Sequence, residues 1–275
     1  MRGTSLPIIS GGQDVAEQQA LGGLESPRAA ALRSLDGEPG SEECVPLLEA
    51  CKAALERFVA TQEGTVLPVI GLSPTALHFL ETTLGEGEVV LNVAGRHLYE
   101  ARETVLPGLW LVWTREASGE VRSLHLEVGP VPQVAVAANR TGTMEELSIG
   151  DPPEGAMNVV PVLAELRHKS REWKPGEVNH SLSFTLLPMS DADMAFLEAR
   201  LGHGPVRAES KGFSRCRVEL TTVRNIWSVQ HFNAMGKLIL DTIEVGDVPS
   251  ALAAGGHDFE DSAVRLGEWL EGASP

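Results

Sequence analysis

The sequence has few of the residues that support disulfides, export or membrane insertion. Its three cysteines, Cys44, Cys51 and Cys216, show no C-x-x-C spacing and cannot all pair with one another. We therefore expect a protein of the reducing cytoplasm. Met1 to Ser10 contains one arginine and no long apolar run, so no signal peptide is expected there. No apolar stretch approaches the roughly eighteen residues of a membrane-spanning helix.

Basic residues are also scarce. The chain has 22 Lys and Arg against 38 Asp and Glu, which gives a formal net charge of −16. Phosphate contacts draw on Lys and Arg, so this balance argues against nucleic acid or anionic membrane as the main partner. Hydrophobic residues make up 43% and aromatic residues only 5%. We therefore expect globular cores built from Leu, Val and Ala.

The motifs of common catalytic and metal sites are missing from the sequence. There is no G-x-S-x-G, no H-E-x-x-H and no phosphate-binding Gly-rich loop. Three unclustered cysteines cannot supply the four thiolates of a typical iron–sulfur site. Cys44 and Cys51 are predicted to lie buried on one helix face, which we favour over half of an intersubunit metal site. We expect no catalytic residues, no bound metal and no cofactor.

The sequence does contain an internal repeat of its middle section. Residues 66–132 align without a gap with residues 183–249, at an offset of 117. Identical residues at equivalent positions include Ser73 and Ser190, Leu84-Gly85 and Leu201-Gly202, Trp110 and Trp227, and Pro132 and Pro249. Solenoid and propeller repeats are shorter, at about 20–50 residues. We predict a duplicated module whose two lobes are related by an approximate two-fold axis.

Local patterns predict the same elements in both copies: a helix, a strand, a second helix and three strands. This order is typical of an α+β fold with mainly antiparallel sheets. Predicted strands cover residues 66–70, 98–105, 109–114 and 121–128 in the first copy, and 182–187, 215–222, 226–232 and 238–245 in the second. The predicted organisation is a flexible segment 1–43, a first repeat 44–132, a linker 133–158, a second repeat 159–249, and a C-terminal helix and tail 250–275.

The predicted helices follow from spacing and caps. Cys44, Leu48, Cys51 and Leu55 recur at helical spacing, which predicts a helix to about residue 60. Ser73-Pro74 and Ser190-Asp191 are good starts for the second helix of each copy, and Gly85 and Gly202 are suited to its left-handed C-terminal cap. A short helix within residues 28–35 and a closing helix over 259–270 complete the prediction.

The densest group of polar candidates lies between residues 225 and 249. Asp241 interrupts an apolar strand, where a carboxylate must be paired or face outward. One interpretation is a partner-binding surface, formed by Trp227, Gln230, Asn233, Asp241 and Glu244. The other is structural: Trp227 would be a core residue, because the first copy also has a tryptophan there, and Asn233 would simply start a turn.

A second candidate is a pair of arginines in an otherwise acidic chain. Arg215 and Arg217 are two residues apart on a predicted strand and therefore share one face. They either bind a carboxylate or an acidic partner segment, or solvate an exposed sheet face.

The segment from residue 225 to residue 249, taken with the duplication, resembles the HupH/HyaF (HoxQ-type) family of NiFe-hydrogenase expression and maturation proteins. Members carry W-x-x-Q-x-x-N, an apolar strand and an E-V-x-D-V-P ending. The matching residues are Trp227, Gln230, Asn233, Leu238-Ile239-Leu240, Glu244-Val245, Asp247 and Pro249. The resemblance covers about residues 44–270. The chain departs at Ser228, where members often have a large aromatic residue, and at Gly236, where an acidic residue is common.

The resemblance implies a cytoplasmic accessory protein, not an enzyme. Family members look like chaperones that hold the hydrogenase small-subunit precursor, with its twin-arginine signal and incomplete iron–sulfur clusters. A thioredoxin-like accessory protein often acts beside them. No catalytic residues are carried across. An acidic chain suits a client whose signal begins with paired arginines, and exposed sheet edges or a groove between the copies offer places for an extended segment.

Two other functions remain open at this point. A small enzyme or metallochaperone using Cys216, His231 and Asp241 predicts stoichiometric iron or zinc in the purified protein. A structural factor that only bridges hydrogenase accessory proteins predicts that those proteins co-purify instead of the small subunit. Within the chaperone hypothesis, we expect the second copy to make the specific contacts. Its Gln230, Asn233 and Asp241 replace Trp113, Glu116 and Leu124 of the first copy, so the common fold does not require them.

Overall fold

The computed structural model describes residues 37–185, 187–212 and 215–271. The elements are α1 (Ser41–Thr61), β1 (Thr65–Pro68), α2 (Pro74–Leu84), β2 (Val89–Ala94), β3 (Leu98–Glu103), β4 (Leu109–Arg115), β5 (Val121–Val128), α3 (Gln133–Thr141), α4 (Val159–Glu172), β6 (His180–Ser183), α5 (Asp191–Leu201), β7 (Val206–Ser210), β8 (Arg215–Leu220), β9 (Ile226–Phe232), β10 (Leu238–Val245) and α6 (Gly256–Glu271). Residues 1–36 of the predicted flexible segment 1–43, with the predicted helix over 28–35, lie outside the described residues. The last three residues of that segment are already helical, because α1 begins at Ser41.

All ten strands belong to one sheet, and every pair in it is antiparallel. The strand order is β1-β5-β4-β3-β2-β7-β8-β9-β10-β6. The predicted α+β class is therefore confirmed. Each half of the sheet has the same internal order, and β2 pairs with β7 where the halves meet. The two expected lobes share a single sheet.

The register at the junction relates equivalent residues of the two halves. Leu91 lies opposite Ala208, the residue 117 positions later. The Ala94 N–H donates to the Pro205 carbonyl at 2.8 Å, and the equivalent Lys211 N–H donates to the Glu88 carbonyl at 2.8 Å. This is the register that a two-fold axis between β2 and β7 produces. The proposed domain boundaries remain a prediction.

Equivalent hydrogen bonds recur in the loops of the two halves. The Thr104 hydroxyl accepts from the Leu106 N–H (3.1 Å) and donates to the Leu106 carbonyl (3.0 Å). Thr221 makes the same two bonds to Val223, both at 3.1 Å. Gly85 and Gly202, the predicted C-terminal caps of α2 and α5, have φ values of 59° and 58°. Both glycines are the C-caps of these helices and have positive φ, but their ψ values of −161° and −172° lie outside the left-handed helical region that was predicted.

The two central strands, β2 and β7, were missing from the sequence-based prediction, which gave three strands after the second helix where the structure has four. Both are short, with five or six residues. The inward-facing residues of β7 include the small Ala208 and Ser210, which give this strand a weak hydrophobic pattern. The predicted linker 133–158 also contains a helix, α3, and the strand predicted over residues 182–187 begins earlier, at His180.

Three hydrophobic clusters cover the sheet. The first lies under α1, α2 and α6, and contains Cys44 and Cys51 on one face of α1, as predicted. The Cys44 thiol donates to the Ala76 carbonyl at 3.2 Å. The second lies on the opposite face of the central strands and includes Trp110 and Trp227, both fully buried. The third packs under α4 and α5 in the second half.

The C-terminal segment of each half packs on the other half. Phe259 of α6 stacks on Phe58 with ring centroids 4.1 Å apart. It also contacts Gly108, where an added Cβ would lie 2.5 Å from its ring. Conversely, Asn139 of α3 exchanges side-chain and backbone hydrogen bonds with Asn225 at 3.0 and 2.8 Å. No helix in the described part of the chain is long and apolar enough to cross a bilayer.

Replacing the buried threonines of the two equivalent loops is expected to destabilise both halves similarly. Thr104→Val and Thr221→Val each leave a buried N–H and carbonyl without their hydroxyl partner, which costs about 1–3 kcal/mol in unfolding free energy. Denaturant unfolding measures this cost, with exposed Thr82→Val as the control. A loss in only one of the two variants would contradict the equivalence of these loops.

Candidate functional site

One face of the central strands is exposed, although these strands lie in the middle of the sheet. The residues that line this depression, here called the charged trough, are Glu86, Val90, Asn92, Glu100, Arg102, Arg207, Ala208, Glu209, Lys211, Arg217 and Glu219. They come from both halves of the sheet. The groove expected between the two copies therefore has this strand surface as its floor.

The charges of the trough neutralise one another in pairs. Across the junction, the Lys211 ammonium lies 2.9 Å from the Glu86 carboxylate, which lowers the pKa of Glu86. The other pairs are Arg102 with Glu100 at 2.5 Å, Arg207 with Glu219 at 3.8 Å, and Arg217 with Glu209 at 3.9 Å. Arg215 also contacts Glu209, at 3.1 Å. Both predicted arginines are thus already paired with a carboxylate, and their role in binding a partner remains a prediction.

Beside the trough, in the second half, a cavity of about 560 Å³ opens between α5 and strands β8 to β10. We call it the α5 pocket. Its lining is partly apolar and partly polar, and comprises Phe184, Asp191, Met194, Ala195, Leu197, Glu198, Leu201, Gly202, His203, Arg217, Glu219, Leu220, Thr221, Ser228, Gln230, Asp241 and Ile243.

The pocket exists because the second half has smaller or polar residues where the first half has large apolar ones. Ser228, Gln230 and Asp241 replace Leu111, Trp113 and Leu124. In the first half those three side chains belong to or pack against the cluster under α1, α2 and α6. Ser228, one of the two departures from the family pattern, therefore lines the pocket.

Gln230 and Asp241 are brought together as neighbours on β9 and β10. The Gln230 side-chain N–H donates to the Asp241 carboxylate at 3.4 Å. Burial raises the pKa of Asp241, and the hydrogen bond from Gln230 offsets this only in part. Of the ion pairs formed by described residues, none includes Asp241.

The other sequence candidates lie elsewhere. Trp227 is fully buried in the central cluster on the opposite sheet face, as its structural interpretation predicted. Glu244 points to that face too, and accepts a hydrogen bond from Asn179 at 3.3 Å. Asn233 starts the β9–β10 turn, where its side chain accepts from the Met235 and Lys237 N–H groups at 3.0 and 2.9 Å. The structure therefore does not unite these residues with Gln230 and Asp241 in one surface.

The alternative metal or catalytic site, formed by Cys216, His231 and Asp241, is not assembled. Cys216 Sγ lies 3.9 Å from His231 Nε2, but Asp241 is on the other face of the sheet because its cross-strand neighbour is Gln230. Burial and the Glu244 charge raise the pKa of Cys216 to about 11, which disfavours the thiolate. Across residues 37–185, 187–212 and 215–271, no group of three His, Cys, Asp or Glu residues is placed to hold a metal.

Sequence reasoning missed an exposed apolar surface at the end of the β9–β10 hairpin. This apolar hairpin end consists of Met235, Leu238, Ile239 and Leu240, which are 91%, 41%, 51% and 37% exposed. β6 pairs with β10 only over Thr242–Val245, so the apolar residues extend beyond that cover. The signal was present in the alignment of the copies, because Arg122 and Ser123 occupy the positions of Ile239 and Leu240 in the first half.

Asp193 fixes α5, the wall of the pocket. Its carboxylate accepts from the N–H of its own N-cap Ser190 at 2.9 Å, and from the Asn158 and Val159 N–H groups at the start of α4, at 2.9 and 3.0 Å. These bonds, led by that from Ser190, lower the pKa of Asp193 to about 2. One carboxylate thus anchors the N-termini of both helices over the second half.

Comparison with known proteins gives consistent matches. The model of a family described as HupH hydrogenase expression protein, C-terminal conserved region, matches residues 43–143 and 156–273. The hydrogenase expression/formation protein HupH of Rhizobium leguminosarum bv. viciae is 39% identical over 222 residues, covering 80% of this chain and 78% of that protein. HoxQ of Azotobacter vinelandii is 35% identical, covering 92% and 89%. The hydrogenase-1 operon protein HyaF of Escherichia coli K12 is 30% identical, covering 91% and 88%.

Removing the Asp193 carboxylate is expected to lower the melting temperature in a pH-dependent way. Because the folded-state pKa is depressed to about 2, the stabilisation is present above the unfolded pKa of about 3.9 and is lost as the pH falls towards 2. The melting-temperature difference between wild type and Asp193→Asn should therefore shrink below about pH 4. Asp191→Asn, at an exposed neighbour, is the control; a pH-independent difference would show that the charge is not responsible.

Proposed function

Since the chain belongs to the HupH family of hydrogenase expression proteins, we propose that it is a cytoplasmic accessory protein of hydrogenase formation that binds the small-subunit precursor. In this proposal it holds an extended segment of the precursor and catalyses no reaction of its own. A thioredoxin-like accessory protein is the second proposed partner. Two of these relatives are named hydrogenase expression/formation proteins and the third a hydrogenase-1 operon protein, which supports a role in hydrogenase formation.

The observation that carries the proposal is the asymmetry between two halves of equal strand order. The second half has an open pocket and, next to it along β10, the apolar hairpin end, where the first half has a filled core and polar residues. Exposed apolar strands are an aggregation hazard unless a partner covers them. An extended peptide can pair with such a strand through its backbone and place alternate side chains in adjacent pockets.

This arrangement favours recognition over catalysis. The polar groups beside the hairpin are an amide and a carboxylate, Gln230 and Asp241, and the nearest thiol, Cys216, is buried on the opposite face with a raised pKa. A binding protein needs an apolar contact area with a few polar groups that fix orientation. The second half supplies both within one hairpin.

The central test is co-purification from cells that produce hydrogenase. Tagged wild-type protein is expected to retain the small-subunit precursor, and Ile239→Asp is expected to lose it, because a charge replaces apolar contact area. Ser123→Asp, beside the equivalent position of the first half, should retain the precursor. Both residues are exposed and neither side chain forms a hydrogen bond or ion pair with a described residue, so neither substitution should change stability by more than about 0.5 kcal/mol. Recovery of accessory proteins without the small subunit would instead support the bridging function.

The two polar candidates of the hairpin are expected to behave differently. Gln230→Ala should weaken binding of the purified precursor by about 1–3 kcal/mol, roughly tenfold or more, if its amide meets the client. Asn233→Ala should mainly lower thermal stability, because the Asn233 side chain holds its own turn. Calorimetric titration and melting curves separate the two effects. Binding losses that merely track stability in both variants would remove Gln230 from the site.

A further inference from the structure

Asp241 differs from the other carboxylates on this face of the sheet. Glu86, Glu100, Glu209 and Glu219 each lie within an ion pair of the charged trough. Asp241 has a hydrogen bond from the Gln230 amide and no ion pair with any described residue. A carboxylate that loses part of its hydration without gaining a cation is unfavourable, and such groups are typical of binding sites.

The nearest cation along the same row of the sheet is already engaged. Glu209, Arg217, Gln230 and Asp241 follow one another across β7, β8, β9 and β10. The Arg217 guanidinium approaches Glu209, on the side away from Asp241, and lies 5.7 Å from the ring centre of Phe232. Arg217 also lines the pocket, but its ion pair is with Glu209, so the row ends at a carboxylate that forms no ion pair with a described residue.

The pocket around Asp241 suits a long side chain with a charged end. Phe184, Met194 and Ile243 provide apolar walls, against which an aliphatic stem can pack. At about 560 Å³, the cavity has room for such a side chain. The Gln230 amide donates to Asp241 through its nitrogen, which leaves its carbonyl oxygen as a second acceptor beside the carboxylate.

We infer that the α5 pocket binds a basic side chain of an extended peptide, with Asp241 and Gln230 as acceptors for its guanidinium or ammonium group. The inference rests on the proposed function in one respect, namely that the occupant belongs to a polypeptide client. The lining contains four carboxylates, those of Asp191, Glu198, Glu219 and Asp241, against the one guanidinium of Arg217 and the imidazole of His203, so an acidic side chain would on balance be repelled. A wholly apolar one would complete the desolvation of Asp241 without compensating it.

The structure of the first half explains why the pocket is confined to the second. The equivalents of Gln230 and Asp241 are Trp113 and Leu124, and the Trp113 ring occupies the core with the Arg102 guanidinium 5.1 Å from its centre. An internal arginine thus stacks on this ring in the first half. In the second half Gln230 replaces the tryptophan and Asp241 replaces Leu124, so a carboxylate is available to a cation from another molecule.

The experiment uses the purified full-length chain and two blocked, fluorescently labelled nonapeptides of alternating valine and serine. One carries arginine at its centre and the other citrulline, which has nearly the same shape and no charge. Fluorescence anisotropy is expected to show at least about tenfold tighter binding of the arginine peptide, the effect of one charge-assisted hydrogen-bonded contact.

Two variants separate recognition from folding. Asp241→Asn keeps the shape and is expected to bind both peptides equally, at about the affinity of wild type for the citrulline peptide. Asp261→Asn removes one exposed carboxylate of α6 and should keep the full preference for arginine. The double variant Gln230→Trp with Asp241→Leu carries the residues of the first half, and is expected to fold and to lose the arginine preference.

Equal affinity of wild type for the two peptides would overturn the inference, as would an arginine preference that survives Asp241→Asn. Loss of the preference in Asp261→Asn would reduce the effect to general charge attraction and also overturn it. These outcomes are separate from the co-purification result. If wild type prefers the arginine peptide but does not retain the small-subunit precursor, the pocket assignment stands and the proposed client is wrong.

Discussion

The pairing of β2 with β7 is the interaction on which the rest of the structure depends. It joins two five-stranded halves into one sheet, with Leu91 opposite Ala208. Backbone hydrogen bonds at both ends fix the register, and a shift by one residue would move Val89, Leu91 and Val93 from the buried face to the exposed one. The shared cluster beneath the junction, which contains both Trp110 and Trp227, exists only because the halves meet in this register.

The junction also sets where the molecule can bind a partner. One face of the central strands is covered by the shared cluster. The helix α3 contacts the second half through Asn139. The helix α6 packs on the cluster of the first half through Phe259. The other face stays exposed as the charged trough. Its opposite charges neutralise one another in ion pairs, which contribute little stability at the surface. In the proposed function, recognition occurs at places where the two halves differ.

Those differences are small in number and large in effect. Exchanging Leu111, Trp113 and Leu124 for Ser228, Gln230 and Asp241 turns a filled core into a cavity with one carboxylate. Exchanging Arg122 and Ser123 for Ile239 and Leu240 turns a polar hairpin end into an apolar one. The shared strand order tolerates this because the loop hydrogen bonds of each half, such as those from the Thr104 and Thr221 hydroxyls, do not involve the exchanged side chains.

The sequence by itself determined the fold class, the helix caps at Ser73, Ser190, Gly85 and Gly202, the burial of Cys44 and Cys51, and the family. These follow from local periodicity, cap chemistry and identity, which act over a few residues. It did not give β7, whose small inward-facing residues make a weak pattern, and it did not give β2 either, although Val89, Leu91 and Val93 alternate there; the two strands pair with each other across more than a hundred residues. Only the tertiary structure decided that Trp227 and Asp241 lie on opposite faces, that Asn233 serves its own turn, and that Gln230 and Asp241 share a pocket. Which face a strand residue occupies depends on register, and register is set by long-range pairing.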